Sequence, residues 1–255
     1  SIIRSDGEFE YIHILDRYFE YDEKLHKKLV NLRGQIFTQK DLIKSSEELK
    51  ILEREITIFH SQIIKEITSK YKDRIDLIGF HGQTIFHDSG NKISKQLGDG
   101  ELLSQLTRKT VVYDFRKNDL NNGGQGAPLT PIFHNLISNK IFNKKKIECP
   151  NFLNIGGISN ITNTVKNEDG SKKNLEAFDI GPGNCLIDEW IRKNTNERFD
   201  KDGLIGKSGN INQIILNQAI ENFNFISYNK SLDIKDFDIS FARGLSIEDG
   251  CATIT

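Results

Sequence analysis

Four short stretches of this chain set polar side chains beside glycines where apolar runs end: Gly79-Phe80-His81-Gly82-Gln83-Thr84, Asp114-Phe115-Arg116-Lys117-Asn118-Asp119 running into Gly123-Gly124-Gln125-Gly126-Ala127-Pro128-Leu129, Asn154-Ile155-Gly156-Gly157-Ile158-Ser159-Asn160, and Phe178-Asp179-Ile180-Gly181-Pro182-Gly183-Asn184. The last is the most informative. Its apolar lead-in from Leu175 predicts a strand that ends on the carboxylate of Asp179. Gly181 and Gly183 then predict a turn into a helix start, with backbone amides able to approach a ligand closely. That combination can hold a sugar hydroxyl or a phosphate. Taken alone, it is equally compatible with a plain strand-to-helix turn and a solvated aspartate.

The other three stretches each carry their own chemistry. His81, Gln83 and Thr84 offer an imidazole, an amide and a hydroxyl just past a strand, a hydrogen-bonding set for a sugar. His81 with His87 lacks a third ligand for a metal site. Asp114, Arg116 and Asp119 follow an apolar strand, where α/β proteins bind ligands. Arg116 can clamp a carboxylate or phosphate in bidentate fashion, or pair with Asp119 at the surface. The glycines at 123–126 lack the spacing and Lys-Ser/Thr ending of a nucleotide P-loop. Gly156-Gly157 predicts a tight turn whose amides can face a phosphate, although ordinary hairpins also use Gly-Gly.

The elements that must position these residues follow from periodicity and caps. Ser1–Arg4, an Asp-Gly turn and Glu8–Leu15 predict a hairpin. Asp22–Leu32 predicts a short helix. Ser45 and Glu48 fit a capping box, and Leu49, Leu52, Ile56, Phe59, Ile63 and Ile67 then recur at helical spacing to about Tyr71. Ile75–Phe80 predicts a buried parallel strand, with further strands at Thr84–His87, Ile93–Leu97 and Thr110–Phe115 and a helix near Glu101–Arg108. Arg116–Ala127 predicts a loop, Pro128–Ile137 a helix, and the basic run Lys140–Lys146 a solvated surface loop. A meander follows over Phe152–Ile155, Gly157–Val165 and Leu175–Ile180, then helices at Cys185–Lys193 and Ile211–Asn222. Two α/β halves are expected, 1–126 and 127–255, with a cleft near Asn118–Pro131.

Composition narrows the class. A net charge of -1 over 255 residues gives no reason to expect nucleic acid or an anionic membrane surface as partner. No apolar run reaches the roughly 20 residues of a membrane span. Three widely spaced cysteines suit a reducing cytoplasm rather than a disulfide framework.

Taken in order, GFHGQTIFH, DFRKNDLNNGGQGAPLTPIFH, NIGGISNIT and FDIGPGNCLIDEW closely resemble the anhydro-N-acetylmuramic acid kinase family. Phe199-Asp200-Lys201-Asp202-Gly203 resembles its FDxDG turn, Asn229-Lys230-Ser231 its KS segment, and Asp249–Thr255 the opening of a late helix. The resemblance implies two ribonuclease H-like domains around an ATP cleft, the actin-like ATPase fold. It implies conversion of 1,6-anhydro-N-acetylmuramic acid, ATP and water to N-acetylmuramic acid 6-phosphate and ADP in cell-wall recycling, with Mg²⁺ on the phosphates. By the same resemblance Asp179 is the general base. Gln83, Thr84, Arg116, Asp119, Gly181 and Asn184 contact the sugar, with Arg116 toward the lactyl carboxylate. Asn154, Gly156, Gly157 and Ser159 form the second phosphate loop. A cytoplasmic homodimer acting on small molecules is the implied setting.

The family's first phosphate loop, of GTSxDG type, and its GGG-type adenosine loop have no counterpart in these residues. A fold incomplete at both ends is therefore expected, with an exposed sheet edge, low stability and little activity for the chain alone. The rival expectation is a remnant that binds amino sugars without turnover.

Overall fold

The computed structural model describes residues 1–7, 10–145, 151–165, 174–223 and 232–255. The chain opens with a two-stranded sheet of β1 (Ile2–Ser5) and β2 (Tyr11–Leu15), in the segment expected to form a hairpin. Two compact units follow from the contacts: Ser1–Arg4 with Ile12–Leu129, and Ser5–Tyr11 with Thr130–Thr255. The architecture is mixed α/β.

In the first unit, α1 (Glu23–Gln35) starts where the Asp22 carboxylate accepts the Leu25 amide at 2.8 Å. Then come α2 (Gln39–Lys44) and the long α3 (Ser46–Ser69). Ser45 does not cap α3. It closes α2, donating its N–H to the Asp41 carbonyl, and sits at φ −93°, ψ 15°. A capping hydroxyl needs extended backbone at that position, which a chain passing straight between helices does not supply. The capping box forms one helix earlier: Thr38 is extended (φ −136°, ψ 165°), and its N–H donates to Asp41 Oδ2 at 2.8 Å.

The stripe on α3 behaves as its spacing predicts. Leu49, Leu52 and Ile56 are buried with Leu25, Leu32, Ile36, Ile85 and Leu97, and Phe59 packs against them. Two polar side chains on α3 fix the neighbouring turn. Glu53 Oε1 accepts from the Gly98 amide at 3.1 Å, and Thr57 Oγ1 from the Asp99 amide at 3.0 Å. That turn joins the antiparallel pair β4 (Gln83–Asp88) and β5 (Ile93–Leu97) to α4 (Gly100–Thr107), which Asp99 caps.

The strand β3 (Leu77–Phe80) pairs in parallel with β6 (Thr110–Tyr113), as expected, in the register Leu77↔Thr110 to Phe80↔Tyr113. It is not buried along its length. Leu77 is 57% exposed and Val112 44%, because among the described residues each strand neighbours only the other. Cover comes at the carboxyl end, where Phe80 meets the His60 ring at 5.2 Å.

Asp114 leaves β6 in a left-handed conformation (φ 57°), turning the chain directly into α5 (Phe115–Asn121). The loop expected from Arg116 thus begins only at Asn122, because buried Leu120 anchors one more helical turn. In the second unit α6 (Pro131–Lys145) absorbs most of the basic run expected as a surface loop. Pro131 opens this helix, Leu136 and Ser138 are buried on it, and Lys140 lies over the Tyr11 ring while donating to the Tyr11 carbonyl.

The meander appears as an antiparallel sheet ordered β7 (Asn151–Ile155), β8 (Ile158–Val165), β9 (Asn174–Pro182). It leads into α7 (Cys185–Asn194), α8 (Leu204–Ser208), α9 (Gln213–Asn222) and α10 (Ile247–Ile254). Cys185, Leu186, Trp190, Ile191, Ile239, Ala242 and Cys251 form the second core. Trp190 Nε1 donates to the Ile247 carbonyl at 2.9 Å, and Gly250 has no side chain because the indole occupies that space. No described helix is long and apolar enough to cross a membrane.

Ile56 is fully buried in the α3 seam, while Ile51 on the same helix is 59% exposed. Ile56→Ala is expected to cost about 2–5 kcal/mol in denaturant unfolding, and Ile51→Ala under about 0.5 kcal/mol. Equal losses at the two positions would contradict the assigned helix face.

Candidate active site

The sequence-predicted residues fall into two groups, one in each unit. In the first, the register of β3 and β6 ends both strands at the same level, so the segments that follow them leave side by side. His81 follows β3 and Arg116 lies in the first turn of α5. Arg116 Nε donates to His81 Nε2 at 3.2 Å, and His81 Nδ1 lies 2.9 Å from the Gly82 carbonyl oxygen. A carbonyl only accepts, so the ring proton sits on Nδ1 and Nε2 is the bare acceptor. Desolvation lowers the imidazole below its ordinary value, the Gly82 carbonyl pushes back, and the charge of Arg116 lowers it further. Gly82 makes the reversal into β4 possible: its φ is +70°, and a Cβ would stand 2.5 Å from the Leu97 carbonyl oxygen.

Gln83 opens β4 with its amide donating to the Tyr21 hydroxyl at 3.1 Å, and that hydroxyl lies 3.1 Å from His60 Nε2. Burial raises the Tyr21 phenol, with the Gln83 hydrogen bond opposing, and lowers the His60 imidazole. Thr84 Oγ1 accepts from the Gln96 amide at 3.3 Å. Asp119 knots the glycine loop: its Oδ2 accepts the Gly126 amide at 2.6 Å, and its carbonyl accepts the Gly124 amide at 2.9 Å. Gly124 lies so close to the Asp119 carboxylate that a side chain there would collide with it. Asp114 pairs with Lys117 at 3.7 Å.

In the second group, Asp179 is inside β9 rather than at its end. Pairing runs on through Ser159↔Gly181 and Ile158↔Pro182, and Asn160↔Asp179 leaves Ile180 as an extra residue, a bulge. Bulges bend a strand and re-aim the side chain beside them. The Asp179 carboxylate is 8% exposed, and its Oδ2 accepts the Leu232 amide at 2.8 Å. Gly181 carries φ +155°, and Ser159 Oγ donates to the Pro182 carbonyl at 3.3 Å. Asn154 pairs with Asn160 across β7 and β8.

The glycine turns are joined to each other. The amides of Gly183 and Cys185 donate to the Gly157 carbonyl at 2.9 and 3.2 Å, and that of Asn184 to the Gly156 carbonyl at 2.7 Å. The amides expected to approach a ligand from the 183–184 turn are therefore engaged within the protein. In a trans peptide the N–H lies opposite the C=O, so the Gly157 and Ile158 amides point away from α7.

Three residues of interest were missed or undervalued in the sequence. Tyr21 and His60 carry no motif and reach Gln83 only through folding. Asn160, directly across from Asp179, has a buried Oδ1 without a hydrogen-bond partner, and only its place in the NIGGISN string hints at a role. Asn229-Lys230-Ser231 lies outside the described residues. Asp200 of the FDxDG turn caps α8, accepting from Ile205 and Gly206, both at 2.9 Å. Desolvation works to raise its carboxyl, but the hydrogen bonds from Gly206, Ile205 and Cys251 together hold it below its ordinary value. Among the described residues no group of three or more His, Cys, Asp or Glu side chains is arranged to hold a metal ion.

The elements are those of a mixed α/β protein, with polar side chains beyond the parallel strand ends in one unit and a buried carboxylate on a bulged strand in the other. The family model for anhydro-N-acetylmuramic acid kinase matches residues 3–242. The chain is 53% identical to the anhydro-N-acetylmuramic acid kinase of Pelagibacter ubique, over all of this chain and 67% of that protein. The kinase of Agrobacterium fabrum is 36% identical, over all of this chain and 68% of its own length. That of Brucella suis is 38% identical, over 81% of this chain and 55% of its own length. The chain belongs to the anhydro-N-acetylmuramic acid kinase family.

A Cβ on Gly183 would overlap the Gly156 carbonyl oxygen, whereas one on Gly157 would meet only Ile234 Cδ1 at 3.7 Å. Gly183→Ala is expected to lower stability by about 1–3 kcal/mol and Gly157→Ala to change it by less than about 0.5 kcal/mol. Thermal melts of the two variants check this, and the reverse order would be incompatible with the α7 junction described.

Proposed function

We propose that the protein carrying this chain opens 1,6-anhydro-N-acetylmuramic acid with water and phosphorylates the released O6, giving N-acetylmuramic acid 6-phosphate and ADP. The observation that carries the proposal is Asp179: a buried carboxylate, aimed by a strand bulge and oriented through one oxygen by the Leu232 amide. Family membership supplies the substrate class.

In this reading Asp179 removes a proton from the water as its oxygen bonds to the anomeric carbon. The bond from that carbon to O6 breaks, and O6 takes the γ-phosphoryl group of ATP. An orienting hydrogen bond on the carboxylate reduces the rearrangement needed as charge moves. Arg116 binds the lactyl carboxylate, and Gln83 and Thr84 bind the sugar. Gly181 and Asn184 belong to the same sugar contacts, and Asp119 serves them by holding its loop. The amides at Gly157 and Ile158, with Asn154, Gly156 and Ser159 around them, hold a phosphate of ATP, which supplies the transferable group. Magnesium is expected with the phosphates, and among the described residues no side-chain cluster offers it a protein ligand set.

The buried thiols of Cys185 and Cys251 are unpaired, which suits a reducing compartment. By family membership the proposal extends to a cytoplasmic homodimer acting on small molecules, organised as two ribonuclease H-like domains.

Asp179→Asn is expected to lower kcat by roughly 10²–10⁴-fold with little change in sugar affinity. Coupled-assay turnover together with calorimetric titration of the sugar separates the two effects, and an unchanged kcat would take Asp179 out of the base role. Arg116→Ala is expected to weaken sugar binding by about tenfold or more. An effect confined to ATP would put Arg116 on the nucleotide side instead.

A further inference from the structure

We propose that His81 is a positioning residue for Arg116: its bare Nε2 aims the guanidinium at the substrate's anionic group, and it does so only while the imidazole is neutral. The inference rests on reading Arg116 as a substrate contact.

Two observations support it. First, the contact is built by the fold rather than by chance proximity. His81 and Arg116 are 35 residues apart and meet because β3 and β6 pair in parallel and end together. Second, both ring nitrogens are assigned. Nδ1 donates to the Gly82 carbonyl, whose position is fixed by the φ +70° turn against Leu97, so Nε2 is left as an acceptor facing Arg116 Nε.

Protonation reverses the contact. An imidazolium presents N–H at Nε2 to the N–H of Arg116, so two donors and two positive charges would stand 3.2 Å apart. From its own segment His81 faces the Gly82 carbonyl, and from α5 it faces Arg116. Among the described residues the charge acting on it is that of Arg116. Asp114 and Lys117, in the same turn of α5, pair with each other. Because the imidazole is held below its ordinary value, the contact is intact at neutral pH and is lost as pH falls through that lowered value.

The test is calorimetric titration, without nucleotide, at pH 8 and pH 5. Two sugars are compared: 1,6-anhydro-N-acetylmuramic acid, and 1,6-anhydro-N-acetylglucosamine, which has the same ring without the lactyl group. A carboxylate with an ordinary value near about 4 stays ionised throughout. The wild-type protein should bind the lactyl sugar measurably more weakly at pH 5 than at pH 8. Its affinity for the sugar lacking the lactyl group should hold. His81→Gln keeps an acceptor that does not titrate, so its affinity for the lactyl sugar should be nearly independent of pH.

A wild-type affinity flat with pH, or an acid-side loss equally large in His81→Gln, would overturn the proposal. If Arg116→Ala binds both sugars as well as wild type does, the substrate contact itself fails, and the positioning role with it. Nitrogen-15 spectra of the wild-type histidines give a check that needs no variant: neutral His81 must carry its proton on Nδ1, and a proton on Nε2 would refute the arrangement.

Discussion

The chain enters α7 on three amides, those of Gly183, Asn184 and Cys185, that donate to the carbonyls of Gly156 and Gly157. Much of the second unit depends on this junction. It ties the hairpin turn of β7 and β8 to the exit of β9, and it requires glycine at 183, where a side chain would overlap the Gly156 oxygen. The Asn184 side chain itself forms no cap hydrogen bond. The same junction fixes which way the turn faces. With its carbonyls toward the helix, the Gly157 and Ile158 amides must point the other way.

The first unit solves its own positioning problem with buried polar side chains on α3. Glu53 and Thr57 hold the Gly98–Asp99 turn, and His60 meets the Tyr21 hydroxyl that receives the Gln83 amide. A long helix with a well-packed apolar seam is a rigid place from which to do this, since each hydrogen bond then orders a loop against something already ordered. Half-burial raises the cost of leaving such groups unpaired, so the network specifies one arrangement at the start of β4, where the candidate sugar residues begin.

What was legible in the sequence and what was not divides along the range of the interactions. The seam of α3, the meander and the helices after it rest on periodicity and turn residues, which are local, and they appear where expected. The capping box at Ser45 had the right residues but the wrong backbone, because α2 runs straight into α3; the pattern carries side-chain chemistry and not φ and ψ. The helix Phe115–Asn121 hides behind polar residues and depends on Asp114 adopting φ 57°, which its residue type permits but does not announce. Site residue types were readable as motifs, yet their partners were not. The Arg116 contact with His81 follows from strand register, and the setting of Asp179 from a bulge at Ile180 that leaves no mark in FDIGPGN.

Glycine and aspartate consequently mean different things within motifs that look alike. Asp179 and Asp119 both stand in glycine-rich strings, but Asp119 gives its carboxylate to the Gly126 amide within its own loop, while Asp179 reaches across 53 residues to the Leu232 amide. Local satisfaction is the mark of a scaffold residue, since the loop would need it whatever the protein does. A carboxylate that is buried, placed on a bulge and oriented by a distant amide is harder to account for by the needs of its own turn. Burial without function would favour replacing it by an apolar group. That asymmetry, more than the motif, supports the proposal that Asp179 accepts the proton and that Asp119 holds its loop.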